Sequence, residues 1–129
     1  MFDPNGPGRW QAASIHPLDA LLASNLADDA RLMTQIKFGL GNPMYNNGAD
    51  AFRHAYWSFT ITRSIGAAEA KVFGDAHEIS GPSPLGEPLM DLNNNQIGRD
   101  LATNTAGPTT PYAAVSDALD SGCLRTGPF

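Results

Sequence analysis

At 129 residues the chain is long enough for one domain with its own core, and 42% apolar residues is too many for a disordered polymer. A formal charge of −5 with eight scattered Lys and Arg gives no basic stripe for nucleic acid, although an acidic metal site in a nuclease would fit it. The single cysteine, Cys123, excludes an internal disulfide and a paired-thiolate zinc site, and no apolar run is long enough to span a bilayer.

Residues 1–16 are rich in Pro and Gly without periodicity and read as a linker or leader; residues 17–129 read as a single helical domain. Pro17 suits a first helical position, and Asp19 suits the positive N-terminal end. Leu18, Leu22, Leu26, Ala30, Met33 and Lys37 then follow helical spacing, the lysine through its stem, as far as Phe38. Gly39 and Gly41 stop that helix, and GNPMYNNG (41–48) is a loop by composition. From Ala49 the pattern is helical again, with Phe52, Tyr56, Phe59 and Arg63 on one stripe and Ala51, His54, Ser58 and Ile61 on its neighbour. Gly66 interrupts, leaving open one kinked helix or two, and SGPSPLGEP (80–88) has too many prolines for a helix interior. Asp91 reads as the N-cap of a helix to about Ala102, and Thr110–Pro111 opens a last helix that Gly122 ends. Strand periodicity and internal repeats are absent. The expected fold is all-α, a compact bundle of four or five helices.

Polar chemistry concentrates in three places. His54 lies in ADAFRHAYW, on the most aromatic helix, where a histidine is either satisfied by a carboxylate or carbonyl or serves as metal ligand or general base. His77 arrives in GDAHE between Asp75 and Glu78. If that segment is helical, Asp75 and His77 point about 200° apart and cannot share a metal. If Gly74 ends the helix, both can face one pocket; His77 and Glu78 are the favoured pair. The third place is MDLNNNQIGRD, where Asp91, Asn94, Asn95, Gly98 and Arg99 fall on one helical stripe. Consecutive asparagines are poor helix formers, so propensity does not explain them. No phosphate-cradling Gly loop, HExxH, nucleophile elbow or paired-Cys motif is present.

The run NGADAFRHAYWSFTITRSIGAAEAKVFGDAHE, followed by MDLNNNQIGR, resembles an uncharacterised bacterial domain family found at the C-termini of large secreted proteins, RHS-repeat polymorphic toxins among them. Matching positions are Asp50, Arg53, His54, Trp57, Asp75, His77, Glu78, Asp91, Asn94, Asn95, Gly98 and Arg99. Asp3-Pro4-Asn5-Gly6 is similar to the DPxG sequence that closes an RHS core. The resemblance implies a toxin or effector domain delivered into a target cell as the tip of a larger secreted protein, with a cognate immunity protein as partner.

Residues and resemblance together lead us to expect a metal-dependent hydrolase of phosphodiester or cell-envelope substrates. His54, His77, Glu78, Asp91 and Arg99 are its candidate catalytic groups, and Asn94, Asn95 and Arg53 its candidate substrate contacts. His54, His77, Asp75 and Asp91 are the candidate ligands for Zn, Mg or Mn. The acidic balance favours lipid or another envelope substrate, with nucleic acid undecided. Two alternatives stay open: a metal-independent, lysozyme-like glycosidase with Glu78 as general acid and Asp91 as second carboxylate, and a non-catalytic helical binding module.

Overall fold

The computed structural model describes residues 17–39, 48–80, 86–104 and 110–126, with positions 17, 20, 76–80 and 86–89 described by their backbone alone. The leader, DPNG and the 41–47 loop lie outside the described residues. Among the described residues there are five helices and no strand: α1 (Pro17–Phe38), α2 (Gly48–Ile65), α3 (Ala67–Ser80), α4 (Gly86–Asn104) and α5 (Pro111–Asp120). The all-α bundle expected from the sequence is the fold observed. No helix among the described residues is long and apolar enough to cross a membrane.

Punctuation in the sequence sets most boundaries. The α5 start is capped by Thr110, in extended backbone, whose hydroxyl accepts a hydrogen bond from the Ala113 N–H at 3.1 Å. Gly66 adopts φ +95°, a left-handed conformation that separates α2 from α3 and settles the kink as two helices. Gly74, by contrast, stops nothing, and α3 runs through GDAHE to Ser80. The helix carrying Asp91 begins at Gly86, so Asp91 lies inside α4 and is not its N-cap. Pro88 fits there because first-turn N–H groups have no intrahelical acceptor.

α2 is the axis of the bundle and packs against each of the other four helices. Its large residues Phe52, Trp57, Phe59 and Ile61 are buried with Phe73, Met90 and Val115 in one core. The indole N–H of Trp57 donates to the Ala23 carbonyl at 2.9 Å, tying α1 to α2. Of the expected α1 stripe, Ala30 is buried and Leu26 and Met33 pack against the core, whereas Leu18 is exposed. Ala23 and Thr34, outside that stripe, are buried as well, and Leu21, Leu32 and Ile36 are exposed. Lys37 contributes more than its stem, since its ammonium sits 5.4–5.8 Å from the ring centroids of Phe38, Phe52 and Tyr112.

α2 and α4 approach each other backbone to backbone. A Cβ added at Gly98 would lie 2.3 Å from the Ala55 carbonyl oxygen, so the two backbones touch with no side chain between them. The pairs His54–Asp91, Ala55–Gly98 and Arg63–Ala102 advance together, so α2 and α4 run in the same general direction. α3 packs against both. The Arg63 Nε donates to the Ala102 carbonyl at 3.0 Å, fixing the far end of this seam.

Gly98→Ala should therefore push α4 off α2 rather than add a tolerated methyl. We expect a loss of about 1–3 kcal/mol, or more, by denaturant unfolding, as for other overpacked contacts. An unchanged midpoint would show that the seam has slack.

Candidate metal centre

The α2–α4 seam carries polar residues where packed helices usually carry apolar ones. Asp50 sits in the first turn of α2, where the helix dipole favours a carboxylate, and His54 follows one turn later on the same face. Asp91 reaches them from α4. His54 Nε2 lies 3.3 Å from Asp50 Oδ1 and 3.3 Å from Asp91 Oδ1. One ligand atom from each residue falls within 4.8 Å of the other two. Asp50 and His54 are buried and Asp91 nearly so, with side-chain exposures of 6%, 4% and 13%.

Arg53 completes the cluster. Its Nη2 donates to Asp50 Oδ1 at 2.9 Å and lies 3.3 Å from His54 Nε2. Two carboxylate oxygens and an imidazole nitrogen converging on one point repel one another unless positive charge stands among them. An imidazolium proton supplies one such charge, the Arg53 guanidinium another, and a divalent ion a third. The donor set suits the last: nitrogen and carboxylate oxygens are ligands for zinc, manganese or magnesium. Around zinc at about 2.0–2.1 Å, tetrahedral ligand atoms stand about 3.3 Å apart, which is the spacing of both His54–Asp contacts. Three protein ligands leave a coordination position for water or substrate, the pattern of catalytic rather than structural zinc.

Beside the cluster, α1 and α2 enclose a pocket of about 130 Å³ whose lining includes Asp28, Arg31, Arg53, His54 and Trp57. One edge of the triad is thus reachable by a small ligand, in the presence of two arginines.

The other expected site residues are distributed differently. Asn94 is completely buried and spends both ends of its amide on the C-terminal tail. Its Nδ2 donates to the Arg125 carbonyl at 2.7 Å, and its Oδ1 accepts from the Arg125 N–H at 2.8 Å. It is a clamp rather than a substrate contact. Asn95 is also fully buried, at the close approach of α4 to Gly74 of α3, and lines neither pocket. Arg99 lines a second pocket with Lys71 and Asp75, away from the residues that enclose the His54 pocket. α3 is helical through GDAHE, so Gly74 does not end it. Asp75 pairs with Lys71 and is absent from the triad. The side chains of His77 and Glu78 lie outside the described residues.

Asp50 is the member of the triad that is not among the site residues expected from the sequence. The signal was its i,i+4 spacing to His54, masked by the ordinary explanation of an acid in a first helical turn. Ser58, one further turn along, is buried and its hydroxyl has no hydrogen-bond partner among the described residues, while Ser64 donates to the Thr60 carbonyl. Cys123 is exposed.

A family model described as a domain of unknown function, DUF6973, matches residues 10–122. The chain belongs to that family. The DUF6973 match takes in all five helices and every member of the triad. No solved structure matches the chain.

The clamp generates its own test. Asn94→Ala removes two buried hydrogen bonds and strands the Arg125 backbone groups, at about 1–3 kcal/mol for each group left unsatisfied. The variant should melt lower and expose the tail around Leu124 to faster amide exchange. Normal exchange protection there would contradict the clamp.

Proposed function

We propose that Asp50, His54 and Asp91 form a divalent metal centre and that the DUF6973 domain is a metal-dependent hydrolase acting on an anionic ester, a phosphodiester foremost. The observation that carries this reading is the pair of 3.3 Å approaches of carboxylate oxygens to one imidazole nitrogen, buried and next to an arginine-lined pocket. A metal held there would activate water and polarise a phosphoryl oxygen. Asp50 and Asp91 supply the negative charge that retains the ion, and His54 offers Nε2 when its proton is on Nδ1. Arg53 and Arg31 border the pocket, where they would pair with the ester's anionic oxygens as negative charge develops. A role as a delivered toxin domain with an immunity partner agrees with the motif resemblance and with a hydrolytic site of this kind.

One observation favours a second reading. Arg53 Nη2 already touches two members of the cluster, so a purely structural charge network, with the guanidinium as its built-in cation, accounts for the same geometry. The two readings part at Arg53. Its side chain is a quarter exposed and stands at the pocket edge, where an incoming ion can displace it.

The test is metal titration of the chelator-treated chain by calorimetry with zinc and with manganese, alongside hydrolysis of an activated phosphodiester. We expect one site per chain, weakened about 100-fold or more in Asp91→Asn and in His54→Ala, with hydrolysis abolished in both. At 100 times its dissociation constant, the ion should add about 2.7 kcal/mol of stability. Arg53→Ala should bind metal at least as tightly as the wild type while losing hydrolysis. A structural network predicts the reverse: no metal site, and a melting loss in Arg53→Ala as the carboxylates lose their cation.

A further inference from the structure

Arg99 is the buried charge that the metal centre leaves unused. It lies on α4 two turns beyond Asp91 and is 8% exposed. Nη1 is turned against α3, where a Cβ added at Gly74 would come within 3.7 Å of it, and it has no hydrogen-bond partner among the described residues. A guanidinium removed from water is costly unless an anion meets its N–H groups. The carboxylate best placed to do so, Asp75, is engaged by Lys71 in an i,i+4 pair on α3. Asp75 and Asp100 act on Arg99 through space without a hydrogen bond: burial pushes the guanidinium below its ordinary value, and the two carboxylates draw it back.

Arg99 also borders a cavity. A pocket of about 310 Å³ opens between α3 and α4, lined by Lys71, Asp75, Leu92, Gln96 and Arg99. Two cations and one carboxylate leave this lining with a net charge of about +1. The Gln96 amide adds donors, and Leu92 gives an apolar wall. We propose that this pocket is a second ligand site, an anion subsite that receives a phosphoryl group between Arg99 and Lys71.

The guanidinium fork matches two phosphoryl oxygens, which a chloride ion could not satisfy. The flexible Lys71 ammonium, 61% exposed, closes on a third oxygen from the pocket mouth, sharing its charge with Asp75. This site does not depend on the Asp50–His54–Asp91 triad and stands whether or not that triad binds metal.

The experiment is a titration of the chelator-treated full chain with inorganic phosphate, read by calorimetry and by the thermal midpoint, against sodium chloride at matched ionic strength. Chelation removes any phosphate held through a metal. Wild type should bind phosphate and melt higher in it than in chloride. Arg99→Gln should abolish the response, Lys71→Gln should weaken it about tenfold, and Arg125→Gln, at a side chain that lines neither pocket, should leave it unchanged. Lys71 is exposed, so its variant decides the matter even if Arg99→Gln fails to fold. A phosphate response equal in wild type and Lys71→Gln, lost only in Arg125→Gln, or absent at millimolar phosphate would overturn the proposal.

Discussion

Ala55 and Gly98 meet backbone to backbone, and that contact determines what the rest of the domain is able to do. With no side chain separating α2 from α4, the two helices lie close enough for short polar side chains to reach across. Asp91 is among the shortest acidic side chains available, yet it meets His54 at 3.3 Å. A wider seam filled by leucines would have left the same residues facing one another through apolar packing. Arg63 on the Ala102 carbonyl holds the other end of the seam, so the separation is pinned on both sides of the glycine.

The seam also explains an unusual economy of burial. Asp50, His54, Asn94, Asn95 and Arg99 are all buried in a small bundle, where each polar group needs a counterpart. The structure resolves these demands in different ways. Asn94 is satisfied by the backbone at Arg125, and that pairing turns a polar side chain into a fastening for the tail. Asp50 and His54 share Arg53, a cation that is partly exposed and so exchangeable. Arg99 has only through-space compensation from carboxylates directed elsewhere. The acidic cluster and the buried guanidinium lie at different levels of α4 and line different pockets, so one helix presents two chemically opposite demands.

Much of the fold was legible because Pro and Gly mark it. Pro17, Gly39, Gly66, Thr110–Pro111 and Gly122 each stand at a boundary where backbone chemistry leaves few choices. Gly74 and Gly98 misled or helped for a different reason. Both serve close packing, and sequence alone does not separate a glycine that ends a helix from one that admits a neighbour. Of the site, His54 and Asp91 were legible as polar groups at core positions. Asp50 was hidden by its good fit to a first turn, and Asn94 was misread because a clamp on backbone atoms leaves no mark on composition. Arg99 shared a stripe with Asp91, but sharing a stripe fixes a face and not the pocket that face borders.

The helical hairpin made by α2, Gly66 and α3 has a consequence for when this site exists at all. Asp50 and His54 stand one turn apart on α2, whereas Asp91 joins them only after α4 docks, across the whole length of α3. That contact requires the intervening loop to close first. A chain still emerging from the ribosome with α4 unmade therefore has its histidine but no site. The Asn94 fastening reaches later still, to Arg125 near the end of the chain. The chemistry of the seam is thus withheld until α4 has been made and docked.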